Sequence, residues 1–240
     1  MIGLGTIVNA GAIIAGGVDG TFIKHGLTDR YKNIIMQGIG LSVLFIGISG
    51  ALKSISLDIN GVKHDYTMIM IFSLVIGGLI GEYLNIEEKL DRMGLWFQSK
   101  FAKDGGNFAE GFVTASLIYC VGAMAIVGSL QDGLAGDTGT LFAKSILDGV
   151  SAVVFAATMG IGVAFSSIPI LVYQGGITLM AGFVKPWLTD EVITQMSLVG
   201  SVLIASIGIN ILEIKRIRVG NLLPSIFLPF IYYFIKCIIK

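Results

Sequence analysis

Residues 192–212 read VITQMSLVGSVLIASIGINIL and contain no charged side chain. A helix needs about 20 predominantly apolar residues to cross the hydrocarbon core of a bilayer. The segment therefore predicts a transmembrane helix. The composition agrees, because 54% of the 240 residues are hydrophobic and 13% are charged, against about 25% charged residues in soluble domains. A water-soluble globular fold is excluded.

Similar apolar stretches recur along the chain and predict an all-α polytopic membrane protein, in which residues 1–240 form one transmembrane domain. The bundle has about eight short, glycine-rich spans, and the whole chain contains 33 glycines. The last span contains Pro224, Pro229 and Lys236, so the bundle has seven full spans if this segment does not cross completely. The predicted spans are 2–18, 34–52, 66–81, 111–130, 145–165, 168–184, 192–212 and 219–239.

Residues 85–103, between the third and fourth spans, have the pattern of an amphipathic helix. Glu87, Glu88 and Arg92 share one side of it, and Asn85 followed by Glu88 resembles a capping box. Two interpretations stay open, a helix in the membrane interface and a helix packed beneath the bundle. The apolar side is formed by Ile86, Leu90, Met93, Phe97 and Phe101.

The lysines and arginines of the loops predict the orientation, because these residues concentrate on the cytoplasmic side of a membrane. With the N-terminus outside, they favour the inner loops by about two to one. We therefore expect both termini outside. The inner-loop cations in this topology are Lys24, Arg30, Lys32, Lys89, Arg92, Lys100, Lys103, Lys215, Arg216 and Arg218.

Two short motifs recur at one constant distance along the chain. The LTD of residues 27–29 returns at 188–190, and the GIS of residues 47–49 is matched by GIN at 208–210, so the offset is 161 in both cases. Five spans separate the first copy from the second, which would invert the second copy, as in many secondary transporters. The motifs thus indicate an inverted repeat. Coincidence among abundant Leu, Gly and Ile residues is the alternative.

The first and sixth spans each carry a polar amide, Asn9 and Gln174, together with a double glycine at 16–17 or 175–176. Glycine permits unwound backbone that exposes dipoles to a solute, so we expect helices 1 and 6 to be broken and to line a substrate or ion path. In the alternative, the amides bond across helices and the glycines allow close packing. The predicted path residues on these spans are Asn9, Gly11, Tyr173, Gln174, Gly175 and Gly176.

Two charged residues, Lys144 and Asp148, fall at the start of the fifth span. They are four residues apart, so they share a helix face and can pair. Charges within a span are costly and usually face a partner or a water-filled cavity. We expect this pair to line a polar vestibule, with Asp132 and Asp137 giving its outer mouth a negative field. In the alternative, Lys144 snorkels outward and neutralises Asp148.

Small residues recur every four positions on the fifth span, at Ala152, Ala156, Gly160 and Ala164. Such a ridge allows close helix packing, either inside the bundle or between protomers of a homo-oligomer.

Several classes of function lack their sequence features. Lys and Arg total 16 and Asp and Glu total 16, so no basic excess predicts nucleic-acid binding. The chain has no H-E-x-x-H, G-x-S-x-G or P-loop motif. We therefore expect no enzyme activity, no metal site and no cofactor.

Four segments resemble one known family, the YqgA/YdfK-like bacterial integral membrane proteins. They are GLGTIVN at 3–9, GSLQDG at 128–133, KSILDG at 144–149 and YQG at 173–175. The resemblance covers nearly the whole chain. It implies a polytopic protein of the bacterial inner membrane, and it implies no substrate.

These observations predict a transporter or channel for a small polar solute or ion across the bacterial inner membrane. Its partners would be the lipid bilayer, that solute and further copies of the chain. The alternative is a non-transporting structural or sensory scaffold that acts as a homo-oligomer through small-residue ridges.

Overall fold

A computed structural model describes residues 1–24, 28–59, 62–101, 108–120 and 123–239. The described chain is helical except for a two-stranded hairpin, β1 (Ser56–Ile59) and β2 (Val62–Asp65), and short connections. The α-helices are α1 (Leu4–Lys24), α2 (Asp29–Ser54), α3 (Thr67–Leu84), α4 (Ile86–Phe101), α5 (Phe108–Cys120), α6 (Ala123–Ala135), α7 (Gly139–Met159), α8 (Gly162–Phe165), α9 (Ser167–Leu179), α10 (Ala181–Val184), α11 (Asp190–Ile211), α12 (Val219–Leu222) and α13 (Leu228–Ile239).

Seven helical segments of the described chain are long and apolar enough to cross a membrane. The predicted all-α polytopic fold is therefore confirmed. The last predicted span is among the seven, as Val219–Cys237, and α8 with α9 forms another, Gly162–Leu179. The fourth predicted span instead consists of α5 and α6, whose axes meet at 63°.

Helices α5 and α6 together follow α7 from one end to the other. Gly111 of α5 lies against Met159 in the last turn of α7, and Tyr119 meets Ser151 near its middle. Gln131 of α6 then accepts a hydrogen bond from Thr140 in the first turn of α7. The bent pair thus covers the height of a full span, which agrees with the predicted total of eight crossings.

The chain divides into two compact units. The first comprises Met1–Gly38, Glu88–Cys120 and Met124–Phe183. The second comprises Ile39–Glu87, Val121–Ala123 and Val184–Lys240. Each unit has its own helix contacts.

Helices α1 and α7 pack in parallel at the centre of the first unit. A methyl group at Gly16 would overlap the carbonyl oxygen of Gly149, and one at Gly20 would overlap that of Val153. Only glycine permits this approach of two helix backbones. Three crossings separate α1 from α7 if α5 and α6 count as one span, so the parallel arrangement also agrees with eight crossings.

The sequence predicted breaks at the double glycines of helices 1 and 6, and this prediction is wrong. Helix α1 runs unbroken through Gly16 and Gly17, and α9 through Gly175 and Gly176. The physical reason for the first pair is packing, because Gly17 lies against the backbone of Ala164 while Gly16 contacts α7.

The turn between the fifth and sixth predicted spans lies earlier than expected. Helix α7 ends at Met159, and Gly160 takes a positive φ of 90°, which favours glycine. Ser166 instead has near-helical angles between α8 and α9. The predicted ridge is therefore interrupted, with Ala152 and Ala156 on α7 and Ala164 on α8.

The second unit contains an antiparallel contact between α2 and α11. A methyl group at Gly47 would overlap the backbone of Ala205, and one at Gly208 would overlap the backbone of Leu44. The last span, also in this unit, is interrupted: a 3₁₀ segment, Leu223–Phe227, separates α12 from α13. Pro224 near the start of this segment and Pro229 in α13 have no backbone N–H to donate to a helical hydrogen bond.

Helix α4 confirms the amphipathic prediction over the described part of residues 85–103, since 102 and 103 lie outside the described residues. The ring of Phe97 lies 5.7 Å from that of Phe112 and 5.6 Å from that of Phe165. Its apolar side therefore packs against the helices of the first unit. Asn85 does not start a capping box, because it takes left-handed angles that end α3.

Candidate functional site

A buried ion pair forms the centre of the candidate site. Lys144 Nζ donates to Asp148 Oδ1 at 2.9 Å and to Oδ2 at 2.7 Å. Only 8% and 9% of these side chains are exposed. Both lie on α7, one helical turn apart, which is the predicted pairing. The predicted snorkelling of Lys144 is not observed.

Two amide side chains from other helices join this pair. Asn9 Nδ2 of α1 donates to Asp148 Oδ2 at 3.1 Å and to Gln174 Oε1 of α9 at 3.2 Å. Both amide residues are fully buried. Three helices that are distant in sequence thus contribute to one polar cluster, which we define as Asn9, Lys144, Asp148 and Gln174.

The small residues of α1 explain why Asn9 reaches α7. Ala12, Gly16 and Gly20 repeat every four positions and form the face that contacts α7, which brings the two backbones together. Asn9 precedes this row by three residues, and positions three apart share a helix face. The close contact therefore directs the Asn9 amide toward Asp148.

Several polar atoms of this region are left without a partner among the described residues. Within the polar cluster they are Asn9 Oδ1 and Gln174 Nε2. Burying such groups unbonded is costly, so each points to an interaction that protein atoms do not supply. The other such atoms in this unit are Thr6 Oγ1, Ser129 Oγ and Thr178 Oγ1.

Tyr119 and Ser151 also border the polar cluster. The sequence offered Tyr119 only as one of several scattered hydroxyls that either line a path or bond to one another, and it did not single out Ser151. The Lys144 ammonium lies 6.0 Å from the Tyr119 ring centroid, at the limit of a cation–π contact. Ser151 Oγ donates to the Asp148 carbonyl oxygen at 3.0 Å and lies within hydrogen-bond distance of Tyr119 Oη, at 3.3 Å. The spacing of Ser151, three residues after Asp148, was the available signal.

The remaining predicted path residues do not join the polar cluster. Apart from their chain neighbours and the backbone of their own helix, no atom of the described chain lies within 4 Å of the Cβ position of Gly11, Gly175 or Gly176. These glycines therefore present open helix faces. Tyr173 is half-buried beside Gln174 on α9.

The sequence predicted that Asp132 lies at an outer mouth open to solvent. The structure instead buries its carboxylate. Its two oxygens accept hydrogen bonds from the backbone N–H groups of Gly3 and Gly5, each with an N···O distance of 3.0 Å. A carboxylate at this place satisfies unpaired N–H groups of the first helical turn. Asp137 is exposed and accepts the N–H of Gly139 at the start of α7.

Metal ligation finds no support in the parts of the chain that the structure describes. No three His, Cys, Asp or Glu residues there lie close enough to hold an ion. The contacts of the polar cluster itself are hydrogen bonds and one ion pair.

Comparison with known proteins identifies the family. A family model described as a protein of unknown function (DUF554) matches residues 4–234. The uncharacterized membrane protein YdfK of Bacillus subtilis (strain 168) is 35% identical over 231 residues, which cover 96% of each chain. The uncharacterized protein YqgA of Escherichia coli (strain K12) is 30% identical over 230 residues and 94% of each chain. No solved structure matches significantly. The chain therefore belongs to the DUF554 family, as its resemblance to YqgA and YdfK indicated.

Proposed function

We propose that this multi-pass membrane protein is a transporter or channel for a small polar solute or ion across the bacterial inner membrane, with no enzyme activity. The polar cluster is the observation that carries the proposal. It combines a buried ion pair with two amides, and each amide keeps one polar atom without a protein partner. Ionisable residues inside a membrane bundle are expensive and typically belong to solute or ion pathways.

Structural stability does not account for such a cluster. Replacing a buried ion pair with apolar side chains of similar volume is often neutral or stabilising. Hydrogen bonding between amides of neighbouring helices would explain Asn9 and Gln174, but it leaves Asn9 Oδ1 and Gln174 Nε2 unused. A polar solute that passes the cluster supplies the missing partners.

The unpaired hydroxyls extend this polar region toward one end of the first unit. Thr6 lies between Asn9 and the start of α1, and Thr178 lies between Gln174 and the end of α9. Because α1 and α9 are antiparallel, both threonines are displaced from the polar cluster in the same direction. Asp132, bonded to Gly3 and Gly5, marks that end. We take this route as the outer half of the path, with the N-terminus outside.

We also propose an inverted repeat of α1–α2 and α9–α11, an arrangement that many secondary transporters share. Helices of an inverted repeat run in opposite directions, and α1 with α9 and α2 with α11 are both antiparallel. Gly47 lies against Ala205 and Gly208 lies against Leu44, so the two glycines matched by the offset of 161 make equivalent contacts in the α2–α11 pair. Each of them makes a close backbone contact with the other helix.

A scaffold function through homo-oligomers is the second candidate. Ala152 and Ala156 cannot support it, because α1 already covers them at Gly16 and Gly20. The observation in its favour is the open glycine surface of α9 and α10. Helix faces of this kind allow close approach of a second copy. Its open glycines are Gly175, Gly176 and Gly182.

Proteoliposomes loaded with the purified protein test the transport proposal. Uptake of a panel of labelled small solutes and of Na⁺, K⁺ and Cl⁻ is compared with uptake by protein-free liposomes. At least one member should enter faster with the wild-type protein and lose that advantage with Lys144→Met/Asp148→Leu. A folded double variant with undiminished uptake, or no uptake of any member by the wild type, would contradict the proposal.

A further inference from the structure

We infer, resting on the transport function proposed above, that the solute is a small uncharged molecule that carries both a hydrogen-bond donor and a hydrogen-bond acceptor. The inference depends on which hydrogen-bond donors and acceptors of the polar cluster have a protein partner and which do not. Asn9 offers one open acceptor, Oδ1, and Gln174 one open donor group, Nε2.

The orientation of both amides follows from Asp148. An ionised carboxylate only accepts hydrogen bonds, so the group of Asn9 that faces Asp148 Oδ2 at 3.1 Å must be the NH₂. The same NH₂ lies 3.2 Å from Gln174, which therefore presents its carbonyl oxygen. Asn9 Oδ1 and Gln174 Nε2 are the groups that this arrangement leaves open.

The two charges of the cluster satisfy each other. Both carboxylate oxygens of Asp148 accept from Lys144, and one accepts from Asn9 as well. An entering ion would have to break this pair inside the membrane, and a buried charge without its partner is strongly unfavourable. Lys144 also repels cations and Asp148 repels anions, as electrostatic barriers do in selective pores. The pair therefore favours passage without net charge.

The open groups define the rest of the solute. One solute atom must donate to Asn9 Oδ1 and another must accept from Gln174 Nε2. The two amides are bonded to each other, so the open groups are adjacent and suit a molecule of a few heavy atoms. Ureas, primary amides and small alcohols meet these conditions, whereas a molecule that only accepts hydrogen bonds does not.

Urea, guanidinium and nitrate test this class, because they are planar, similar in size and carry charges of 0, +1 and −1. Proteoliposomes of the wild-type protein should take up urea about tenfold faster than protein-free liposomes, the factor that one hydrogen bond supplies. Guanidinium and nitrate should enter at the protein-free rate. Accelerated uptake of either ion, or a urea rate equal to that of protein-free liposomes, would overturn the inference. Ion uptake alone would leave the transport proposal standing, so the two can fail separately.

Substitution of Gln174, which carries the open donor Nε2, tests whether urea uptake depends on the polar cluster. Gln174→Glu preserves the size and the acceptor for Asn9 while it removes the open NH₂, and Gln174→Met removes the whole amide. Both should reduce urea uptake about tenfold. The matched control is Gln195→Met, because Gln195 is also buried but its Nε2 donates to Glu191 at 3.3 Å. Equal urea uptake by folded Gln174→Glu and wild-type protein would refute the assignment of Gln174.

Discussion

In the first unit, Lys144 and Asp148 lie buried within α7, whereas in the second unit Glu82 and Arg218 lie exposed at helix ends. The polar contacts of the second unit include a junction at the end of α3, where Asn221 bonds to Glu82 and to the backbone of Glu87. Helix ends always expose unpaired backbone groups that such side chains satisfy. The middle of a span has no such need.

The contrast separates two uses of polarity in one bilayer. The end contacts of the second unit use Glu82, Glu87 and Asn221 to complete hydrogen bonds that helix ends require. The polar cluster of the first unit has charges within a helix long and apolar enough to cross the membrane, where charges are costly, and its amides keep open polar atoms. This difference is the reason why we propose the polar cluster of the first unit as the solute site.

The largest expected effect comes from breaking the ion pair on one side. Asp148→Leu should lower the free energy of unfolding by about 3–5 kcal/mol, because Lys144 is left buried without its counter-charge. Lys144→Met/Asp148→Leu should restore stability to at least the wild-type value. Denaturant unfolding in detergent measures both. Equal losses in the single and double variants would show that the charges do not act as a pair.

A smaller effect is expected from the glycine contact between α1 and α7. Gly20→Ala places a methyl group against the carbonyl oxygen of Val153 and should cost about 1–3 kcal/mol through overpacking. Gly11→Ala is the matched control on the same helix, since the space around it is open, and it should be neutral or gain up to about 1 kcal/mol. Thermal unfolding of the two variants is the measurement, and equal melting temperatures would refute the packing role of Gly20.

The smallest effect is expected at the helix-end contacts of the second unit. Asn221→Ala removes the hydrogen bonds to Glu87 and Glu82, both 2.7 Å long, and should cost about 1 kcal/mol because water can replace the bond at the exposed Glu82 carboxylate. Solute uptake by proteoliposomes should not change. A loss of uptake in a stable Asn221→Ala protein would mean that the second unit also contributes to the path.

Sequence reasoning predicted the membrane fold and the Lys144–Asp148 pair, because both depend on local patterns. Apolar runs of sufficient length identify spans, and a spacing of four identifies neighbours on one helix. The encounter of Asn9 with Asp148 joins residues 139 positions apart. It depends on helix packing, which the residue spacing within one helix does not define.

The glycines mark the limit of such reasoning. Glycine serves both to break a helix and to let two helices touch, and its position in the sequence does not distinguish the two uses. Gly16 and Gly17 have partners and stay helical, whereas Gly160 takes a positive φ and ends α7. The same limit applies to Asp132, whose partners at the start of α1 are 127 and 129 residues away.

Cysteine accessibility in native membranes tests most directly whether the polar cluster is a solute path. In a chain with Cys120 and Cys237 replaced, Ser151→Cys beside the cluster is compared with Ser206→Cys, a similarly half-buried serine of α11 in the second unit. Exposed Ser99→Cys serves as the reactive control. The account predicts that a small water-soluble thiol reagent labels positions 151 and 99 and spares position 206. Labelling at position 99 alone would contradict a water-accessible path in the first unit.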